Sequence, residues 1–199
     1  SLISDNGKCK PVSAVSCLEY SDAELDQLII ELVEHQGEPL VISDLDKRPA
    51  WNSDLFSPQS YESLRPRASA ETDNDTVLVR NLTDWTDHAL PLHDFMARCD
   101  RQWTYPPEQV EKLYGKDLPC PPEWGQAIAE LVHPRLAYHG EQDASASLRP
   151  KARSVTQMCY YGPGHTCTPL HRDLCSSLGQ NLMVWSDPDA TALWIITHH

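Results

Sequence analysis

The chain is short of cations: 16 Lys and Arg stand against 29 Asp and Glu, giving a formal net charge of −13 over 199 residues. Gripping a phosphate backbone needs clustered Lys and Arg, so direct nucleic-acid binding by this chain is not expected. The acidity suits a basic partner such as a Lys/Arg-rich protein tail, although solubility alone accounts for it equally well. Long apolar runs are also missing. The longest, Leu193-Trp194-Ile195-Ile196, is the size of a strand, whereas a membrane-spanning helix needs about 20 residues. The first ten residues, Ser1 to Lys10, hold no apolar stretch of the kind a signal peptide carries.

Glycine is scarce as well, at 8 residues. The chain has no G-x-S-x-G nucleophile elbow, no glycine-rich phosphate loop and no dinucleotide fingerprint. The seven cysteines (Cys9, Cys17, Cys99, Cys120, Cys159, Cys167 and Cys175) are scattered without a C-x-x-C pair, so zinc-ribbon and thioredoxin-like readings have no support. An odd count without a signal peptide points to reduced thiols in the nucleus or, alternatively, the cytoplasm. The sequons at Asn74 and Asn81 carry no meaning in an intracellular protein.

The clearest element is a helix opening at Ser21, a good N-cap, with Glu24 completing a capping box three residues on. Leu25, Leu28, Ile29, Leu32 and Val33 recur as one apolar stripe, and Gly37 with Pro39 ends the helix. Residues 39–45, PLVISDL, read as a buried strand. Residues 51–64 read as a turn into a short helix capped by Ser57, with Pro58 at its first position. Polar residues 65–76 and 141–154 read as loops, and Thr76 to Leu82 as a second strand. Leu92, Phe95 and Met96 mark one face of a short helix over 92–99. A helical turn is expected around Val110 to Leu113, and a further helix from Pro121–Glu123 to Val132. Residues 155–162 read as a strand, and Asn181 to Trp185 and Leu193 to Thr197 as two more around the turn at 186–190. Helices would then crowd the first two thirds and strands the last third, in an α+β fold.

The segment YYGPGHTCTPLHRD, residues 160–173, carries the chemistry. Side chains two apart on an extended segment project to one face, so His171 and Asp173 can offer an imidazole and a carboxylate to one ion. A second histidine from a distant strand would complete the 2-His-1-carboxylate triad that holds non-haem Fe(II). A lone H-x-D is common by chance, and a surface or core His–Asp pair is the plainer reading. The Trp residues read as core or interface packing. His165, in the same loop as the motif, reads as a solvated loop histidine.

The context adds a resemblance. YYGPGHTCTPLHRD resembles the Jumonji-C (JmjC) family of Fe(II)- and 2-oxoglutarate-dependent oxygenases, in which an aromatic-Gly strand leads into a T-P-x-H-x-D/E motif. The likeness runs from about Gly37 to Thr197 through ordered landmarks. These are GEPLVISDL, Trp51, the VLVRN strand, the LHDFM helix, KLYGKDLPCPPEW, and finally HRDLCSSLGQNLMVW with ALWIIT, which is similar to fungal chromatin-type members.

The resemblance implies His171 and Asp173 as metal ligands, and Thr168, Asn181 and Tyr160 as residues lining the 2-oxoglutarate site or substrate channel. It implies Fe(II) and 2-oxoglutarate as cofactors and a cupin-like double-stranded β-helix after a helical N-terminal region. In domain terms, an N-terminal arm and capping helix over 1–36 precede the N-terminal portion of a JmjC-like domain over 37–199. The implied activity is that of a dioxygenase, a histone lysine demethylase or hydroxylase acting on a basic tail in the nucleus. The alternative is a catalytically inactive JmjC-like chromatin interaction module.

Two departures from the family pattern bear on these expectations. The usual lysine that pairs with the distal carboxylate of 2-oxoglutarate is missing, since residues 182–197 hold no Lys or Arg. Arg153 and Arg172 are the substitutes considered, with Arg172 expected to face away from the ligands. The third metal ligand is expected on a later strand, because His198 and His199 follow too soon. The chain is therefore read as a fragment, inactive by itself.

Overall fold

The computed structural model describes residues 11–65, 75–101, 109, 111–136, 157–172 and 179–196. The expected loops at 66–74 and 141–154 lie outside these residues, as do Asp173, Arg153, Cys175, His198 and His199. Contacts divide the chain into two compact units. The first is drawn from Ser1–Asn52, Ala127–Glu141 and Ala192–His199, and the second from Ser53–Gln126 and Gln142–Thr191.

In the first unit, strand β1 (Ser13–Ser16) runs parallel to β2 (Leu40–Ser43), with Ser13 opposite Leu40 and Ser16 opposite Ser43. Helix α1 (Asp22–Leu28) lies between them in sequence and opens as its sequence dictates. The Ser21 side chain accepts from the Glu24 amide, and Glu24 returns a bond to the Ser21 amide at 2.8 Å. The helix widens into a π-helical stretch over Ile29–His35, closed by a Gln36 N–H to Glu31 carbonyl bond of 3.1 Å. Leu25 and Ile29 are its buried members. Gly37 ends it at φ 67°, where a side chain would be strained.

Residues 131–136 are fixed to this helix by polar contacts. His133 Nε2 lies 3.0 Å from the Asp22 carbonyl, which can only accept, so the proton sits on Nε2. Nδ1 then accepts from the Arg135 amide at 3.2 Å. The Arg135 guanidinium grips Asp26 at 2.6 Å and Glu34 at 3.0 Å. That grip holds the Asp26 carboxyl below the usual range.

The second unit is built on a four-stranded antiparallel sheet in the order β4-β3-β5-β6. Its strands are β3 (Thr76–Asn81), β4 (Thr86–Pro91), β5 (Leu113–Pro119) and β6 (Met158–Tyr161). Helix α2 (Pro58–Leu64) starts on the Ser57 cap, which accepts from the Ser60 amide at 3.1 Å. Helix α3 (Leu92–Arg101) buries Leu92, Phe95, Met96 and Cys99. The Phe95 ring lies against Gly115 of β5 and meets Tyr161 of β6 edge-on at 5.9 Å. Val77 and Val79 of β3 and Leu113 and Leu118 of β5 complete this core. Helix α4 (Pro122–Leu131) begins with Trp124 wedged edge-on to Phe56 and Tyr61, each at 5.5 Å. The Tyr61 hydroxyl donates to the Pro119 carbonyl at 3.0 Å.

The α+β class and the helices at 22, 58, 92 and 122 match expectation. Four readings are corrected. Strand β2 alternates half-buried and exposed residues, with Val41 open to solvent; its only ladder partner among the described residues is the four-residue β1, so it is not a buried strand. In place of a helical turn reaching Leu113, that residue opens β5, because its backbone pairs with Asn81. Residues 179–196 form no strand among the described residues. Their apolar composition fits a strand, but a strand exists only where a neighbouring backbone answers its hydrogen bonds, and Leu193 to Ile196 are all exposed. Finally, five of the six described strands precede residue 120, so strands are not concentrated in the last third. No closed barrel forms among the described residues. Of the tryptophans, Trp124 is buried as expected, whereas Trp85, Trp185 and Trp194 are exposed.

Candidate functional site

The sheet face opposite α3 carries Tyr160 of β6 beside Tyr114 and Asp117 of β5. Burial along β5 runs in at Leu113 and Gly115, out at Lys116 and Asp117, and in again at Leu118. The register shifts between Gly115 opposite Tyr161 and Leu118 opposite Cys159. One extra residue therefore sits in β5, a β-bulge. Asp117 takes up the irregularity at φ 55°, and its carboxylate accepts from the Tyr160 hydroxyl at 2.8 Å. Lys116 stands beside it, with Nζ 3.5 Å from the same carboxylate.

Tyr160 stacks on Tyr114, ring centroids 6.0 Å apart and planes 29° from parallel. The Tyr114 hydroxyl accepts from Thr168 at 3.2 Å. Burial pushes the Tyr114 phenol up, against the opposing effect of the Thr168 bond, so it stays a neutral O–H donor at physiological pH. The loop after β6 can pass this close because residue 162 is glycine. A Cβ there would meet Tyr114 Cδ2 at 3.1 Å, the Leu113 carbonyl at 3.2 Å and Thr166 Oγ1 at 3.2 Å. Thr166 turns inward to donate to the Pro163 carbonyl at 2.9 Å.

His171 follows Thr168 by three residues and is exposed. Its Nδ1 lies 2.8 Å from the Pro169 carbonyl. A carbonyl only accepts, so Nδ1 carries a proton in this contact. Donation from one ring nitrogen to a carbonyl is how a metal-binding histidine is commonly oriented, so the donor chemistry of His171 fits a metal ligand. Asp173 lies outside the described residues. Among those residues no group of three or more His, Cys, Asp and Glu is placed to hold a metal ion.

The structure thus brings Tyr160 and Thr168 together on Tyr114, three residues short of His171. Asn181 is exposed and makes no hydrogen bond to this cluster. His165 is an exposed loop residue at φ 66°. Tyr114 and Asp117 were not singled out from the sequence. Their signal was the LYGKD segment itself, but the cross-strand register that sets them against Tyr160 depends on a bulge with no local signature.

One comparison with known proteins gives a match. The chain is 42% identical over 176 residues to C-module-binding factor A of Dictyostelium discoideum. The match takes in 85% of this chain and 16% of the relative, so the chain spans about a sixth of the length of the curated protein it matches. No family model matches, and no solved structure matches. Among the described residues, no helix is long and apolar enough to cross a membrane.

Proposed function

We propose that this chain is the N-terminal portion of a JmjC-type Fe(II)- and 2-oxoglutarate-dependent dioxygenase domain, with the β5–β6 pair opening a cupin-like β-helix. The observation that carries the reading is the convergence of Thr168 and Tyr160 on Tyr114 beside His171. Thr168 and Tyr160 belong to the motif that carries the resemblance, and both rest on the Tyr114 side chain.

In this reading His171 and Asp173 would hold Fe(II). Bound there, Fe(II) and 2-oxoglutarate supply O2-dependent hydroxylation of a C–H bond, which on an N-methyl lysine ends in demethylation. The chain's own residues position the groups. The Thr168 hydroxyl donates to Tyr114, which leaves the Tyr114 proton free to donate onward to a carboxylate. Holding that phenol neutral keeps it a donor. Two adjacent hydroxyls then do part of the work of the lysine missing from residues 182–197. The Tyr160 ring, fixed by Asp117, walls the same face. The acidic chain suits a basic tail such as a histone's as substrate, in the nucleus.

The missing lysine favours a second reading, a catalytically inactive JmjC-like module serving as a chromatin interaction platform. The relative's name, which describes a factor that binds a C-module, agrees with a binding role. The test uses the full-length protein under anaerobic Fe(II) and 2-oxoglutarate. A working site gives a weak visible charge-transfer band that disappears in His171→Ala and Asp173→Ala. No band, or a band that survives His171→Ala, removes the enzyme reading and leaves the binding module.

A further inference from the structure

A second chemical feature lies at the junction of β5, α4 and β6, independent of the metal site. Cys159 lies on β6 opposite Leu118, and Cys120 follows Leu118 by two residues, just past the end of β5. The two cysteines therefore stand diagonally on the same face of the strand pair. Both are partly exposed free thiols. Their side chains lie close enough to influence one another. That proximity holds the Cys120 thiol below its ordinary range and, together with burial, pushes the Cys159 thiol up. Cys120 is thus the readier of the two to ionise. By contrast, burial pushes the Cys99 thiol up to about 12, which leaves it inert at neutral pH.

The surroundings are well fixed. The Tyr61 hydroxyl bonds to the Pro119 carbonyl at 3.0 Å. The Gln157 side chain packs on Gly125 so closely that a Cβ there would fall 2.5 Å from its Oε1. In the reduced chain the Cys120 S–H donates to the Pro121 carbonyl at 3.6 Å.

We propose that Cys120 and Cys159 form a reversible, hydroperoxide-sensitive dithiol–disulfide site joining the end of β5 to β6. In the first step the Cys120 thiolate attacks one peroxide oxygen and the O–O bond breaks. A sulfenic acid forms and water leaves after taking up a proton. In the second step the Cys159 sulfur attacks the Cys120 sulfur, the S–O bond breaks, and the Cys159 proton leaves with hydroxide as a second water. Two thiols are oxidised and one peroxide is reduced to two waters.

Diagonal positions on an antiparallel pair lie about 7–8 Å apart, roughly an ångström beyond the relaxed span of a disulfide. Closing the bridge draws the end of β5 toward β6, and the resulting strain makes the bond easy to reduce. Such a site toggles, whereas a structural cross-link does not. The bridge would also tether the strand that carries Tyr160.

The test is a peptide map of the chain after hydrogen peroxide treatment and blocking of free thiols, without reductant. The expected product is a linked peptide pair containing Cys120 and Cys159, lighter by two hydrogens and separated by dithiothreitol. In Cys159→Ser the sulfenic acid should accumulate on Cys120 and be trapped by dimedone, while Cys120→Ser should give neither product. Peroxide treatment that leaves both cysteines of the wild-type chain free for alkylation overturns the proposal. So does dimedone labelling of Cys159→Ser at cysteines other than Cys120. The wild-type map needs no substitution, so a folding defect in a variant cannot decide the outcome.

Discussion

Replacing Gly115 by alanine is the sharpest probe of how the sheet and α3 close on one another. A Cβ at this position lies 2.9 Å from Phe95 Cε1, 3.2 Å from Phe95 Cζ and 2.9 Å from Leu118 Cδ1. Neither neighbour has room to withdraw, because Phe95 is fully buried and Leu118 nearly so. Forcing one extra carbon into a filled core costs about 1–3 kcal/mol. Alanine also lowers the entropy of the unfolded chain, which returns about 0.4–1 kcal/mol. Gly164→Ala isolates that second effect, since a Cβ there meets nothing within 4 Å. The difference between the two variants is thus the packing cost alone. For a chain of this size each kcal/mol moves Tm by about 2–4 °C, so Gly115→Ala should melt about 2–12 °C below Gly164→Ala. Differential scanning calorimetry on both reads this directly. Equal melting temperatures would refute the close approach of α3 to β5 and, with it, the face assigned to Tyr114.

Ser21→Ala should destabilise the chain by about 1 kcal/mol, read by denaturant titration, because it removes the acceptor for the Glu24 amide. Acid should loosen the first unit in steps. Asp26 is depressed by Arg135, and Asp44 is depressed to about 2, chiefly by its bond to Lys47. Carboxylates lowered in the folded state add stability above their unfolded pKa, which is lost as pH falls through the folded value. Circular dichroism should therefore show the loss between about pH 4 and pH 2, and a flat profile over that window would contradict both contacts. Trp85 is exposed at φ 62° in the β3–β4 hairpin, a costly conformation for a bulky residue. Trp85→Gly should raise stability by about 1 kcal/mol, and a lower Tm would show that the ring packs instead.

What could be read from the sequence was local. The Ser21 capping box, the Ser57–Pro58 start and the Leu92–Phe95–Met96 face each depend on residues within one or two turns, and each formed where expected. The β5 strand, which escaped notice, is made by distant partners. LYGKDLP contains Gly, Lys, Asp and Pro, poor strand residues by propensity, yet it is the inner strand joining β3 to β6. The reverse failure befell Leu193 to Ile196, which has strand composition but no partner backbone among the described residues. The candidate site divides the same way. Thr168 and Tyr160 could be picked from the motif, whereas Tyr114 and Asp117 needed the register.

The bulge in β5 makes the strand divisible into what the sheet needs and what the surface adds. Upstream of it odd-numbered residues face the core, and downstream Leu118 does. Removing Lys116 would restore plain alternation, with Leu113, Gly115 and Leu118 still inward. A one-residue deletion in a strand commonly turns its remainder inside out, but here it would regularise the ladder and only pull Asp117 away from Tyr160. Lys116 is thus expected to be dispensable for folding at the spot where an aspartate meets the motif tyrosine. A Lys116 deletion variant that keeps its melting temperature while losing the Tyr160–Asp117 bond would separate the architecture of this face from its chemistry.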